Sequence, residues 1–141
     1  RTPIALNGCE THTLLKESLM AMAVPEYPLL KGRDSIPLQE LSEQPLILSQ
    51  RYQKYMLSAF ERAGLVCDIY FTCGDARTAM TMAEKGLGIA ILPASMQTLS
   101  QKLRPCMISD TDLTTEILLA WRKERLPDEI RDFLKMWNIE N

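Results

Sequence analysis

The stretch Lys85-Gly86-Leu87-Gly88-Ile89-Ala90-Ile91-Leu92-Pro93, KGLGIAILP, decides how this chain reads. Gly-x-Gly ahead of an apolar run suits either a phosphate-cradling loop or a helix that stops where a buried strand begins. A dinucleotide fingerprint needs a strand before its glycines and a helix opening on them, because the phosphate rests on that helix's N-terminus. Here the order is reversed. A helical stripe of Ala76, Ala79, Met80 and Ala83 precedes Gly86, and the apolar run follows Gly88. A third glycine at the required offset is missing, and no Gly-x-x-x-x-Gly-Lys-Ser/Thr occurs. The stretch therefore reads as scaffold. Lys85 ends a helix, where a cation suits the dipole. Gly86 takes the left-handed position after the helix. Gly88 allows helix and strand backbones to approach closely, Ile89–Leu92 forms a central strand, and Pro93 ends it.

The same alternation extends outward. Upstream, Cys67–Cys73 reads as a strand, and Gly74-Asp75 offers an N-cap to the Ala76 helix. Before it, Tyr52, Tyr55, Met56, Ala59, Phe60 and Ala63 recur at helical spacing, with Gly64 as the stop. Pro45-Leu46-Ile47-Leu48 is a short buried strand ending at Ser49-Gln50-Arg51, and Leu38 and Leu41 share one face of a single helical turn. Leu19–Val24 is a buried strand closed by Pro25 and Pro28. Downstream, the pattern predicts a short helix over Ala94–Leu103, a strand at Cys106–Ile108, and another at Glu116–Trp121. A last helix opens at Leu126-Pro127-Asp128-Glu129, with Ile130, Phe133, Leu134 and Trp137 as its apolar face. Short apolar strands alternating with helices indicate an α/β fold with a largely parallel sheet covered on both faces.

Composition bounds the function classes. The 141 residues are 46% hydrophobic and 24% charged, with a formal net charge of -2. That balance gives no broad electrostatic reason to bind nucleic acid or an anionic membrane. No apolar run approaches the roughly 18 residues of a membrane span, and no signal peptide opens the chain, so it reads as cytoplasmic. The first residue is Arg1, not Met, which reads as a piece of a longer protein. Cys9, Cys67, Cys73 and Cys106 form no C-x-x-C pair, and His12 is the one histidine, so no metal or cofactor is expected. Six residues of strand span about 20 Å, whereas a disulfide needs Cα atoms within about 7 Å. Cys67 and Cys73 therefore read as reduced thiols.

No catalytic constellation emerges. His12 sits in Thr-His-Thr without a carboxylate or nucleophile partner, Asp110/Asp112 read as a loop, and Asp128/Glu129 as a helix start. The chain reads as non-enzymatic. Two places suit a small anion instead. Ser49-Gln50-Arg51, at a strand-to-helix junction, presents hydroxyl, amide, guanidinium and unsatisfied backbone N–H groups together. Thr72-Cys73-Gly74-Asp75 follows the same logic, although Asp75 fills that helix terminus itself.

With these elements in order, the chain resembles the effector-binding domain of LysR-type transcriptional regulators. Val24-Pro25-Glu26-Tyr27-Pro28-Leu29 is similar to the family's Val-Pro-x-His-Pro-Leu, with Tyr27 in place of the usual His. Leu38-Gln39-Glu40-Leu41 followed by Pro45-Leu46-Ile47 resembles its Leu-x-Asp-Leu…Pro-Leu-Ile segment, with Glu40 for Asp. Gly86–Pro93 closely resembles its Gly-x-Gly-Ile-x-x-Leu-Pro signature, and the ending through Leu126-Pro127 to Phe133 also fits.

The resemblance implies a periplasmic-binding-protein-like (type 2) α/β effector domain. Residues 23–112 would be a complete second subdomain, and residues 1–22 and 113–141 the returning parts of an incomplete first. It implies a small-molecule effector, an anion being the chemistry these groups suit, sensed between two subdomains. It also implies a homodimer or tetramer, and DNA binding only through a winged helix-turn-helix absent from this chain. By the same resemblance Thr2, Ser49, Gln50 and Arg51 are the effector-binding candidates, and the Tyr52–Ala63 helix and following strand resemble dimer surfaces. The alternative is a solute-binding domain of a transport system with the same fold.

Overall fold

A computed structural model describes residues 1–124 and 126–139 of the chain. Its strands are β1 (Cys9–Ala23), β2 (Ser35–Ile36), β3 (Leu46–Ser49), β4 (Ile69–Cys73), β5 (Ile89–Pro93), β6 (Arg104–Ile108) and β7 (Thr114–Arg122). Its helices are α1 (Leu38–Leu41), α2 (Gln50–Arg62), α3 (Ala76–Glu84) and α4 (Asp128–Met136), with a 3-10 segment at Ala94–Leu99. The chain divides into two compact units. One is formed by Arg1–Lys16 with the segment from Glu116 onward, the other by Glu17–Thr115.

The strand order is β2-β6-β1-β5-β3-β4, with β7 pairing β1 off this path. β5, β3 and β4 are parallel neighbours, while β1 runs antiparallel to both β5 and β6. β2 is parallel to β6. The parallel sheet expected from the alternation is thus interrupted by one reversed strand, β1. It enters from the other unit, with its C-terminal end, Leu19–Ala23, inserted between β5 and β6. Only this end is apolar enough to read as a strand in the sequence. Residues 9–18 are mostly exposed, which hides the strand's first ten residues from an apolarity pattern.

β3 and β5 are buried at every position, as expected where helices cover both faces of a parallel sheet. Alternate side chains sort to two layers. Leu46, Leu48, Ile89 and Ile91 pack with Tyr52, Met56, Ala59 and Phe60 of α2. Ile47, Ala90 and Leu92 pack with Ala79, Met80 and Ala83 of α3. Each large apolar side chain buried here contributes about 1.5–3 kcal/mol relative to exposure. The α2 face matches the expected one except at its end, where Ala63 is exposed.

Both helices close in the same way. The Gly86 N–H donates to the Ala83 carbonyl and the Leu87 N–H to that of Met82, with Gly86 at φ +76°. Gly64 and Leu65 repeat the pattern on Glu61 and Phe60. This is the left-handed closure that glycine accommodates without a Cβ penalty. Gly88 has a different task. A Cβ there would overlap the Pro45 carbonyl oxygen, which accepts the Ile89 N–H at 3.0 Å. The close approach is therefore between strand backbones, not between helix and strand as the sequence suggested.

Two other expectations change. The Ala94–Leu103 helix is a 3-10 segment that ends at Leu99. The Cys67–Cys73 strand begins only at Ile69, so Cys67 lies ahead of it. All four cysteines are free thiols; Cys73 and Cys106 are buried, Cys9 and Cys67 half-buried.

Candidate functional site

Ser49, Gln50 and Arg51 sit where β3 passes directly into α2. Ser49 is the N-cap residue, with extended backbone (φ -75°, ψ 150°), and is only 3% exposed. Its hydroxyl makes no cap hydrogen bond, and the first turn of α2 holds no acidic residue. Gln50 and Arg51 are exposed. The first N–H groups of a helix lack intrahelical acceptors and carry the positive end of its dipole.

Pairing of β3 with β4 places Ser49 opposite Cys73. The two stretches singled out in the sequence are consequently neighbours at the carboxyl ends of adjacent parallel strands. From there the chain diverges, into α2 on one face of the sheet and α3 on the other. In open α/β sheets ligands bind outside the carboxyl ends of the strands.

The two helix termini are chemically unlike. At α3 the Asp75 carboxylate accepts the Thr78 N–H at 2.8 Å and the Thr78 hydroxyl at 3.1 Å. Those hydrogen bonds, the backbone one foremost, hold the Asp75 carboxyl below its usual range. Burial, with the Asp75 charge second, pushes the Cys73 thiol up. The thiol contacts the Met82 sulfur at 3.4 Å and is a neutral, packed group rather than a nucleophile. The α3 terminus thus already holds a carboxylate, whereas no side-chain cap hydrogen bond closes the α2 terminus. Hydroxyl, amide, guanidinium and N–H donors together suit a carboxylate or phosphate oxygen.

Thr2 has a different setting. Its N–H donates to the Glu116 carbonyl and its hydroxyl accepts the Glu116 N–H, both at 2.8 Å. It belongs to the first unit, whereas Ser49, Gln50 and Arg51 belong to the second. His12 is half-buried within β1, and no cluster of metal-ligating side chains occurs among the described residues. No helix among them is long and apolar enough to cross a membrane. Grooves of about 380 Å³ beside Trp121 and Arg131 and about 370 Å³ beside Arg62 and Asp110 do not include the Ser49 junction.

Sequence reasoning missed two polar anchors. The Glu17 carboxylate accepts the Ser95 N–H at 2.6 Å and its hydroxyl at 3.0 Å. The Tyr55 hydroxyl donates to the Asp112 carbonyl and accepts the Thr114 N–H, each at 3.1 Å. These partners lie 57 to 78 residues apart, where no local pattern reports them.

Residues 1–137 match the family model described as LysR substrate binding domain. The chain belongs to that family. Among curated proteins, the LysR domain is 28% identical over 120 residues to the HTH-type transcriptional regulator YnfL of Escherichia coli (strain K12). That alignment takes in 81% of this chain and 40% of YnfL. Among solved structures it superposes on the regulatory domain of CcmR from Synechocystis PCC6803 in complex with 2-PG, with a TM-score of 0.81 and 17% identity. The match covers 96% of this chain and 68% of that one. The effector binding domain of BenM with its effector benzoate gives a TM-score of 0.74 at 21% identity, covering 100% and 70%. The fold of the LysR domain is the type 2 periplasmic-binding-protein-like α/β fold expected from the sequence. The chain spans about 40% of the length of its relative YnfL.

Proposed function

We propose that this LysR domain is the effector-sensing portion of a cytoplasmic, DNA-binding transcriptional regulator, and that its effector is a small anion held at the start of α2. The observation that carries the reading is the contrast between the two helix termini. α3 is closed by Asp75, whereas α2 opens on a buried Ser49 that does not cap it. Gln50 would add its amide and Arg51 its guanidinium to the first-turn N–H groups. The structures of BenM with its effector benzoate and of CcmR in complex with 2-PG supply the precedent for small ligands. Thr2 stands as a separate candidate whose hydroxyl already accepts the Glu116 N–H.

The response is a difference in affinity. An effector that binds one state of the regulator more tightly shifts the population toward it, and the shift is limited by that difference. DNA would be engaged by a helix-turn-helix outside this chain, in a dimer or tetramer. The name of YnfL, an HTH-type regulator, favours this reading over a transport protein.

The test is a thermal-shift screen of small carboxylates and phosphates on the full-length regulator, followed by titration of Ser49→Ala, Arg51→Ala and the double variant. Hydrogen bonds to a charged group contribute about 1.5–3 kcal/mol each, so each single variant should weaken binding of the hit roughly 10- to 100-fold. Unchanged affinity in the double variant would remove the anion from this end of α2.

A further inference from the structure

We propose that Tyr52 and Tyr55 are positioning residues that latch the effector helix to the strand by which the chain leaves the second unit. The inference rests on the placement of the effector at the start of α2 and adds how its arrival is transmitted. Glu17–Thr115 is the second unit, so Thr114 and Thr115 are its last residues and also the first of β7. Both are held by α2. The Tyr55 hydroxyl bridges the Asp112 carbonyl and the Thr114 N–H. The Tyr52 hydroxyl lies 3.4 Å from the Thr115 hydroxyl, a longer and weaker contact, with Tyr52 1% and Thr115 0% exposed.

Tyr52 joins both ends of the device. It is the third residue of α2, so its own N–H is among the first-turn donors that an anion would engage. Its side chain meanwhile reaches the exit strand. Met56, Ala59 and Phe60 are buried beneath the same helix, which makes α2 move as a body rather than flex. The entering strand is fixed nearby within the same unit: the Leu19 N–H donates to the Leu113 carbonyl at 2.8 Å, and Glu17 is bonded to Ser95. A displacement of α2 therefore either carries residues 112–115 with it or breaks the Tyr55 bridge. Tightening of the first turn around an anion becomes tightening of the exit strand.

Amide hydrogen exchange on the full-length regulator tests the latch in two arms. Without ligand, Tyr55→Phe should speed exchange of the amides at 113–116 by roughly 3- to 10-fold, the loss of one hydrogen bond. Thr115→Val should speed exchange at 54–57, the first amides bonded within α2, while Tyr70→Phe, on the exposed face of β4, changes neither. If Thr115→Val leaves 54–57 unchanged, the latch is wrong, whatever binds. In the second arm the probe is sodium benzoate. Benzoate should slow exchange at 113–116 in the natural protein; Tyr55→Phe should abolish that slowing while its benzoate affinity stays within about threefold. A residue that only supports the fold would shift the baseline and keep the benzoate response, which overturns the proposal. If benzoate binds neither protein, the carboxylate reading of the α2 terminus fails for it, and the ligand-free arm alone decides the latch.

Discussion

Replacing Gly88 by alanine tests the packing argument at the centre of the sheet. The added Cβ would overlap the Pro45 carbonyl oxygen and lie 3.4 Å from two atoms of the Ile47 side chain. Ile47 is fully buried on β3, and the Pro45 carbonyl accepts the Ile89 N–H that opens the β3–β5 pairing. The chain has two ways out. It can push β3 from β5 and lose that hydrogen bond, at about 1–3 kcal/mol for buried groups left unpaired. Or it can keep the bond and compress the core, at about 1–3 kcal/mol for overpacking. If both costs are incurred in full the loss is roughly 2–6 kcal/mol, a large part of the 5–15 kcal/mol typical of a domain. Gly86→Ala is the control: φ is +76° but nothing lies within 4 Å of the new Cβ. Only the left-handed backbone penalty of about 1–2 kcal/mol applies there. Urea unfolding followed by circular dichroism separates the two, since a loss of about 3 kcal/mol moves the midpoint by about 1–3 M at typical slopes. Gly88→Ala no less stable than Gly86→Ala would refute the close-approach argument.

Two further outcomes concern ionisation. Burial, with Asp68 second, pushes the Cys67 thiol up to about 11, so at pH 7 its thiolate fraction is about a hundredfold below that of an ordinary thiol. Iodoacetamide labelling followed by peptide mass spectrometry should find it correspondingly slow and accelerating up to about pH 11; labelling at the rate of a model thiol at pH 7 would contradict its burial. The Asp75 carboxyl is lowered by its hydrogen bonds to Thr78. Its stabilising effect is thus complete above the ordinary carboxylate range and is lost as pH falls through the lowered value. An NMR titration of the Thr78 amide should show a midpoint below the ordinary 3.8, and a midpoint at or above 3.8 would mean that the cap is not formed.

What the sequence determined by itself was set by short-range physics. The apolar period of Tyr52, Met56, Ala59 and Phe60 marked α2, the Asp75 cap and Gly86 closure bounded α3, and the unbroken run Ile89–Leu92 marked a doubly covered strand. Each depends on residues within a turn or two of one another, and together in order they pointed to the LysR domain. The same locality explains what stayed hidden. The outer part of β1 is mostly exposed and polar, so its strand is held by pairing rather than announced by apolarity. Ala94–Leu103 has helical composition but no buried residue in the Ala94–Leu99 stretch, so packing does not extend the 3-10 segment.

Tertiary structure alone decided which separate stretches meet. Ser49-Gln50-Arg51 and Thr72–Asp75 appeared in the sequence as two unrelated places for an anion; the β3–β4 register sets Ser49 opposite Cys73 and makes them neighbours. The Gly88 contact with Pro45, the Tyr55 bridge to Asp112 and Thr114, and the Glu17 hold on Ser95 likewise join residues far apart in the chain. Their geometry follows from strand order, and strand order is a choice among non-local pairings that the sum of the buried contacts makes.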